Sequence, residues 1–147
     1  MNGNSIPIAY NTDGRVSTVT DANGRALTFS YGANGRVATI SDFSTPARTW
    51  TYGYDVGDNL ISVTDPGNNI IQYQYDPNHN LTAIIDARGN TVSSMAYDSL
   101  DKVKTYTDKG HSYQVEYDPV SKLTKKTDPA GKAVSYTHLT LPTTPYV

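Results

Sequence analysis

Residues 54–76 read YDVGDNLISVTDPGNNIIQYQYD, and this stretch decides the fold because it begins and ends with the same Tyr-Asp pair. Its centre, from Asp65 to Asn69, is rich in turn-forming residues. After the centre, Ile71, Tyr73 and Tyr75 alternate with glutamines, and a period of two is typical of a half-buried strand. The stretch therefore predicts a β-hairpin that leads directly into the next copy of itself.

The same pattern repeats along the chain at intervals of 20 to 23 residues. Six tyrosines mark it: Tyr10, Tyr31, Tyr54, Tyr75, Tyr97 and Tyr117. Eleven residues after each tyrosine stands an aspartate, at Asp21, Asp42, Asp65, Asp86, Asp108 and Asp128. A fixed period of this length indicates a repeat protein built from one supersecondary unit.

Further columns keep this register. Six residues after each tyrosine the chain is aliphatic, at Val16, Val37, Leu60, Leu81, Val103 and Leu123. In five units a glycine follows the second aspartate, at Gly24, Gly67, Gly89, Gly110 and Gly131, and we interpret Asp-x-x-Gly as the hairpin turn. In the first strand of each hairpin, apolar columns lie three residues apart, as at Val16 and Val19, which requires a β-bulge or partial burial of both faces.

Composition agrees with an all-β chain. Of the 14 acidic residues 13 are aspartate, and Thr (19), Tyr (12) and Val (11) are abundant, whereas the helix formers Glu and Leu are scarce. The fold class that we predict is all-β, with antiparallel β-hairpin repeats in a curved or spiralling meander of about twelve strands. One face should carry Tyr31, Trp50, Tyr52, Tyr54, Tyr73, Tyr75, Tyr113 and Tyr117, and the opposite face Thr49, Thr51, Gln72 and Gln74.

The repeat resembles the YD repeats of the Rhs family, which includes bacterial polymorphic toxins, toxin-complex subunits and teneurins. The signature pair stands at Tyr54-Asp55, Tyr75-Asp76, Tyr97-Asp98 and Tyr117-Asp118. The resemblance implies a segment of a β shell that encloses or presents a C-terminal toxin or effector. It also implies a secreted or cell-surface protein whose partners are further repeats of the same polypeptide and the toxin domain.

The chain divides into three parts by its repeat content. Residues 1–9 lead into the first repeat, residues 10–133 hold six repeats of about 21 residues, and residues 134–147 break the pattern. That last segment resembles the translation of a transposase-type sequencing adapter, and we interpret it as a non-native tail. We expect its removal after Ala133 to cost nothing, and we expect the isolated chain to self-associate through its terminal strands.

The sequence indicates no catalytic, cofactor or metal site. The formal charge of −2 gives no basic footprint for nucleic acid, and no apolar run is long enough to span a bilayer. His79 and His111 lie in or beside predicted turns, and His138 lies in the tail. The family resemblance raises the question of a self-cleaving aspartyl site, which usually ends the bacterial shells. We interpret Asp65-Pro66 and Asp128-Pro129 as repeat turns and not as such a site.

Two functions remain open at this point. The first is a non-enzymatic structural role as shell material. The alternative is a cell-surface carbohydrate-binding or adhesion module, in which the tyrosines and Trp50 stack on sugar rings.

Overall fold

The computed structural model describes residues 5–137, which are built of short strands joined by turns. The strands are β1 (Ile8–Tyr10), β2 (Val16–Thr20), β3 (Ala26–Tyr31), β4 (Val37–Ser41), β5 (Thr49–Tyr54), β6 (Leu60–Thr64), β7 (Ile70–Tyr75), β8 (Leu81–Ile85), β9 (Thr91–Tyr97), β10 (Val103–Asp108), β11 (His111–Asp118), β12 (Leu123–Thr127) and β13 (Ala133–Thr137). Residues 5–137 contain no helix, and so none that could span a membrane.

The described residues form two compact units, one of residues 5–74 and 85–90, the other of residues 75–84 and 91–137. In the first unit β1 to β7 pair in chain order, and each pairing is antiparallel. In the second unit β9 to β13 pair in the same way. The predicted fold class, an all-β meander of antiparallel hairpins, is therefore confirmed, with thirteen strands where the sequence predicted about twelve.

A β-bulge follows the aliphatic column, and it is one of the two outcomes that the spacing of Val16 and Val19 predicts. Tyr10 pairs with Val16 while the preceding residue Ala9 pairs with Thr18, so Ser17 is the extra residue on β2. The same slip of one residue recurs where β3 meets β4, where β5 meets β6 and where β9 meets β10. The bulge turns the aliphatic residue back to the face that carries the next apolar residue of the strand.

The two faces of the strands differ in chemistry. On one face of β4 and β5 the apolar pair Ile40 and Trp50 lie opposite each other. On the other face, Ser41 lies opposite Thr49, and their hydroxyl groups are joined by a hydrogen bond of 2.8 Å. The eight aromatic residues that the sequence assigned to one face are all half-buried, whereas Thr51, Gln72 and Gln74 are exposed. Thr49 is half-buried as well.

Burial is shallow throughout the described residues. Among these residues Ala83 is the only buried apolar residue and Asp42 the only buried polar one, and 9% of the surface of each is exposed. Because so little surface is removed from water, the strands depend on backbone hydrogen bonds and on cross-strand side-chain pairs for their stability.

Strand β13 crosses the boundary that the sequence placed after Ala133. Lys126 pairs with Val134 and Thr124 pairs with Tyr136, so the hairpin pattern continues to Thr137. Residues 134–137 thus form part of the sheet, although the sequence pattern placed them in the tail, and the division of the chain into leader, repeats and tail stays a prediction. The adapter origin stays a prediction, since His138 and the rest of the tail lie outside the described residues, as do residues 1–4 of the leader.

Candidate functional site

The feature that recurs from unit to unit is a turn closed by a carboxylate. In the turn from Asp65 to Asn69, Oδ1 of Asp65 accepts hydrogen bonds from the backbone N–H groups of Gly67 (2.7 Å) and Asn69 (2.9 Å). Oδ2 accepts a third from the side chain of Asn69 at 2.9 Å. This last bond, with the two backbone bonds, lowers the pKa of Asp65, so the carboxylate is charged and fully engaged in the turn.

The same carboxylate turn occurs both within the hairpins and between consecutive hairpins. In each case Oδ1 accepts from the backbone N–H groups two and four residues later, at Asp21, Asp55, Asp76, Asp86, Asp98 and Asp128. Asn11 does the same in the first turn with its amide oxygen. The Asp of the Tyr-Asp pair and the Asp eleven residues after the tyrosine therefore have the same structural role.

A residue with positive φ lies three positions after the turn carboxylate. Glycine fills this position at Gly24 and Gly89, but Asp58, His79 and Asp101 fill it elsewhere. After Asp65 the residue with positive φ is Asn68, at φ 62°. Asn can take this conformation because its short polar side chain bonds locally.

Asp42, in the second repeat, which has no glycine at the turn position, closes a longer turn. Its carboxylate accepts hydrogen bonds from the backbone N–H groups of Ser44 and Arg48 at 3.0 Å each, and Oδ2 contacts the Arg48 guanidinium at 2.5 and 2.6 Å. Burial alone would raise the pKa of Asp42, but these bonds outweigh it and bring the pKa to about 2. The neighbouring Phe43 is exposed and lies under the guanidinium of Arg25.

Two of the predicted turn aspartates depart from the pattern. Asp108 is the last residue of β10 and pairs directly with His111, so that only Lys109 and Gly110 form the turn. Their φ values of 47° and 79° are those of a two-residue hairpin turn of type I′, so Gly110 lies in the turn as predicted, and Asp108 itself belongs to the strand. After Asp118 the residue with positive φ is Lys122, one position later than elsewhere, and β11 pairs with β12 without a bulge.

The signature tyrosines connect one repeat to the previous one. The hydroxyl of Tyr31 donates a hydrogen bond of 2.7 Å to the carbonyl oxygen of Val16, in the aliphatic column of the preceding unit. Tyr97 donates in the same way to Leu81 at 2.8 Å, and burial raises the pKa of Tyr97. Each bond spans fifteen or sixteen residues of sequence, so it holds two consecutive units in register.

The basic residue that precedes the aliphatic column lies over the ring of the signature tyrosine of the next repeat. The guanidinium of Arg15 lies 5.4 Å from the ring centre of Tyr31, and that of Arg36 lies 5.9 Å from the ring centre of Tyr54. Lys102 lies 5.3 Å from the ring centre of Tyr117. These are cation–π distances, and they explain why a basic residue precedes the aliphatic residue in these units.

Neighbouring turns on the Tyr-Asp side are also joined by side chains. Asp58, in the positive-φ position, accepts from the guanidinium of Arg36 at 3.2 Å and from Asn34 at 3.4 Å. The hydrogen bond with Asp58 raises the pKa of Arg36. In the second compact unit, Asp101 accepts hydrogen bonds from the side-chain amides of Asn80 at 2.7 Å and Asn78 at 3.0 Å. The repeat pattern does not predict a role for Asp58 or Asp101, although both are acidic residues placed three positions after a Tyr-Asp aspartate.

The predicted tyrosines lie where the return strands end. Tyr31, Tyr54, Tyr75 and Tyr97 are the last residues of β3, β5, β7 and β9, Tyr117 is the next to last of β11, and Tyr10 ends β1. Tyr10 is 61% exposed, unlike the other five, which are half-buried. The structure thus places the signature residues at repeat contacts and turns. Among residues 5–137 no group of three acidic or histidine side chains is arranged to hold a metal ion.

Comparison with known proteins identifies the repeat and the fold. The family model described as RHS Repeat matches residues 10–47, 54–91 and 75–113. No curated protein sequence matches significantly. Two solved structures are similar in fold at 14% identity: TcdB2-TccC3-Cdc42, with a TM-score of 0.53 over 90% of this chain, and a Photorhabdus luminescens Tc holotoxin pore carrying a TccC3 mutation, with a TM-score of 0.50 over 88%. The chain spans only 10% and 9% of the length of those two chains.

Proposed function

The chain belongs to the RHS repeat family, and from this premise we propose that it forms part of the wall of a β shell that encloses or presents a C-terminal toxin or effector. The observation that carries the proposal is the use of the signature residues. Tyr31, Tyr97 and the turn carboxylates are bonded within the protein, to the preceding repeat or to their own turn. Residues used in this way support a structural role as part of a wall.

The similar solved structures support the same proposal. Both bear names that include TccC3, and one is named as a Tc holotoxin pore. We propose that the segment contacts further repeats of its own polypeptide and a C-terminal toxin domain. For this reason we propose a non-enzymatic segment of a secreted or surface-exposed toxin protein.

The carbohydrate-binding alternative receives less support from the contacts. A platform for sugar rings needs aromatic faces that are free, but Tyr31, Tyr54 and Tyr117 are each covered by a cationic side chain of the repeat before. Trp50 is half-buried opposite Ile40. These aromatic residues contribute to cross-strand packing in the described part of the chain.

One experiment separates the two functions. The gene that encodes this segment is completed by sequencing outward from residues 10–133, and its product is purified and treated with a protease under native conditions. Shell material predicts further repeats and a dissimilar C-terminal domain that resists the protease until the repeats are unfolded by denaturant. A C-terminal domain that is cleaved at once in the native protein would overturn the proposal. Binding of the native protein to a glycan array that is lost in Trp50→Ala would establish the alternative instead.

A further inference from the structure

In the second compact unit, two tyrosine rings lie close enough to react with each other. The structural role proposed above does not require such a reaction. Tyr106 of β10 and Tyr113 of β11 lie directly opposite each other in the strand register. Their ring centres are 4.8 Å apart and their planes differ by 12°, so the two rings are stacked nearly parallel.

The local structure holds this pair in place. The two-residue turn at Lys109 and Gly110 fixes the register of β10 against β11, which allows no slip of one ring past the other. The ammonium group of Lys126 lies over both rings, 5.1 Å from the centre of Tyr106 and 4.3 Å from that of Tyr113. A hydrogen bond with the Tyr106 hydroxyl raises the pKa of Lys126, so this cation stays charged beside the pair.

We propose that Tyr106 and Tyr113 form a site of oxidative cross-linking, at which a peroxide-driven one-electron oxidant joins the two rings as dityrosine. Each phenol loses one electron and its hydroxyl proton, which gives two phenoxyl radicals. The radicals couple through a new carbon–carbon bond between ring positions next to the hydroxyls, and the ring hydrogens at those carbons move to the oxygens. In total one hydrogen peroxide is reduced to two waters, and the protein loses two hydrogen atoms.

Three observations support Tyr106 and Tyr113 as a cross-linking site. The rings already face each other, so coupling needs little motion, whereas two radicals on separate molecules must first meet. Both residues are half-buried, and they are therefore open to a small oxidant at one edge while Lys126 covers the pair from β12. The chain contains no cysteine, so a tyrosine pair rather than a disulfide is the group that can link two neighbouring strands covalently.

The test is oxidation of the dilute protein with a heme peroxidase and hydrogen peroxide. We expect dityrosine fluorescence in the monomer fraction, a mass lower by two hydrogens, and a cross-linked peptide that contains Tyr106 and Tyr113. Tyr113→Phe keeps the stacked ring but lacks the hydroxyl, and it should reduce the fluorescence of the monomer fraction by at least about tenfold. The matched control is Tyr73→Phe on β7, which should leave the yield unchanged.

The outcomes decide the proposal in either direction. Loss of the cross-link in Tyr113→Phe and in Tyr106→Phe, with the control intact, supports it. Equal dityrosine yield in Tyr113→Phe, cross-linked peptides from other tyrosines, or dityrosine found only in covalent oligomers would overturn it. The β-type circular dichroism of each variant shows whether the sheet is retained, and a variant with lost sheet structure is replaced by 3-fluorotyrosine at the same position. An unchanged yield and pH profile of coupling with that analogue would likewise contradict the assignment.

Discussion

The phenolic oxygen of Tyr31 lies 2.7 Å from the carbonyl oxygen of Val16 and donates a hydrogen bond to it across one repeat. The bond joins the signature tyrosine of one unit to the aliphatic column of the unit before. The equivalent bond from Tyr97 to Leu81 measures 2.8 Å. A repeat protein depends on nearest-neighbour contacts of this kind, because each unit alone buries too little surface to be stable.

Removing the Tyr31 hydroxyl should therefore weaken the contact between units. We expect Tyr31→Phe to lower the free energy of unfolding by about 0.5–1.5 kcal/mol, since the ring stays in place and one part-buried hydrogen bond is lost. Tyr10→Phe is the matched control, because Tyr10 is 61% exposed, and it should change stability by less than about 0.5 kcal/mol. Urea unfolding followed by circular dichroism measures both, and equal losses would show that the bond contributes nothing.

Acid should weaken the turns. The pKa of the turn carboxylates is lowered in the folded chain, to about 2 at Asp42, whereas an unfolded aspartate titrates near 3.8. Their contribution is therefore complete above pH 3.8 and is lost as the pH falls towards 2, because the unfolded chain takes up protons first. We expect the melting temperature to fall steeply between pH 4 and pH 2.

Asp42→Asn tests how much one turn carboxylate contributes to the pH dependence of the melting temperature. The amide keeps one oxygen for the backbone bonds but loses the charge that faces Arg48, so the variant should melt lower than the parent at neutral pH. The difference should shrink as the pH approaches 2, since the parent carboxylate is then protonated as well. Asp13→Asn, an exposed change on the first turn, is the control. A melting temperature that rises on acidification would contradict the sign of this prediction.

Gly32 offers a gain of stability at the one turn of the Tyr-Asp side that lacks a side-chain acceptor at its first position. Gly32→Asp supplies the carboxylate that the other turns use. The Asn34 side chain, whose Oδ1 lies 3.0 Å from the new Cβ position, must swing aside, and the carboxylate then takes over the hydrogen bond of 3.2 Å that Asn34 accepts from the Arg36 N–H. We expect the variant to unfold about 0.5–1 kcal/mol less readily, in part because replacing glycine restricts the unfolded chain. Gly32→Ala separates the two effects, and an aspartate no better than alanine would show that the carboxylate adds nothing.

The last strand gives a test of where the fold ends. A chain that stops at Ala133 loses Val134 to Thr137 and with them most of the pairing of β13 to β12. Each lost backbone bond is worth about 1 kcal/mol, so this chain should melt lower and associate more readily. A chain that stops at Thr137 is the control and should melt like the full chain. Identical melting of the chain that stops at Ala133 would restore the sequence-based boundary.

Much of this architecture follows from the sequence because its signals are local and repeated. The alternation of Tyr73 and Tyr75 with glutamines predicts the return strand. The spacing of Val16 and Val19 predicts either a bulge or partial burial of both faces, and the register shows the bulge. The turn carboxylates follow from the preference of aspartate for bonding the backbone two residues on. A local rule that occurs six times is read with little ambiguity.

The remaining features depend on register and on neighbouring strands. Gly67 and Asn68 can both take positive φ, and composition alone does not decide between them. The short turn after Asp108 depends on which residues pair, and one residue of slip separates the two turn types. Lys126 looks like an exposed strand residue in the sequence, yet β12 places it opposite Val115 and over Tyr106 and Tyr113 of two other strands.

The most direct test of the account is the structure of the complete gene product by electron cryomicroscopy. We predict that residues 10–137 lie within a continuous wall of hairpins, with the Tyr31 to Val16 bond intact and with the C-terminal domain enclosed or held by that wall. An open rod of repeats that displays its aromatic face to solvent, with the C-terminal domain free of it, would contradict the central claim.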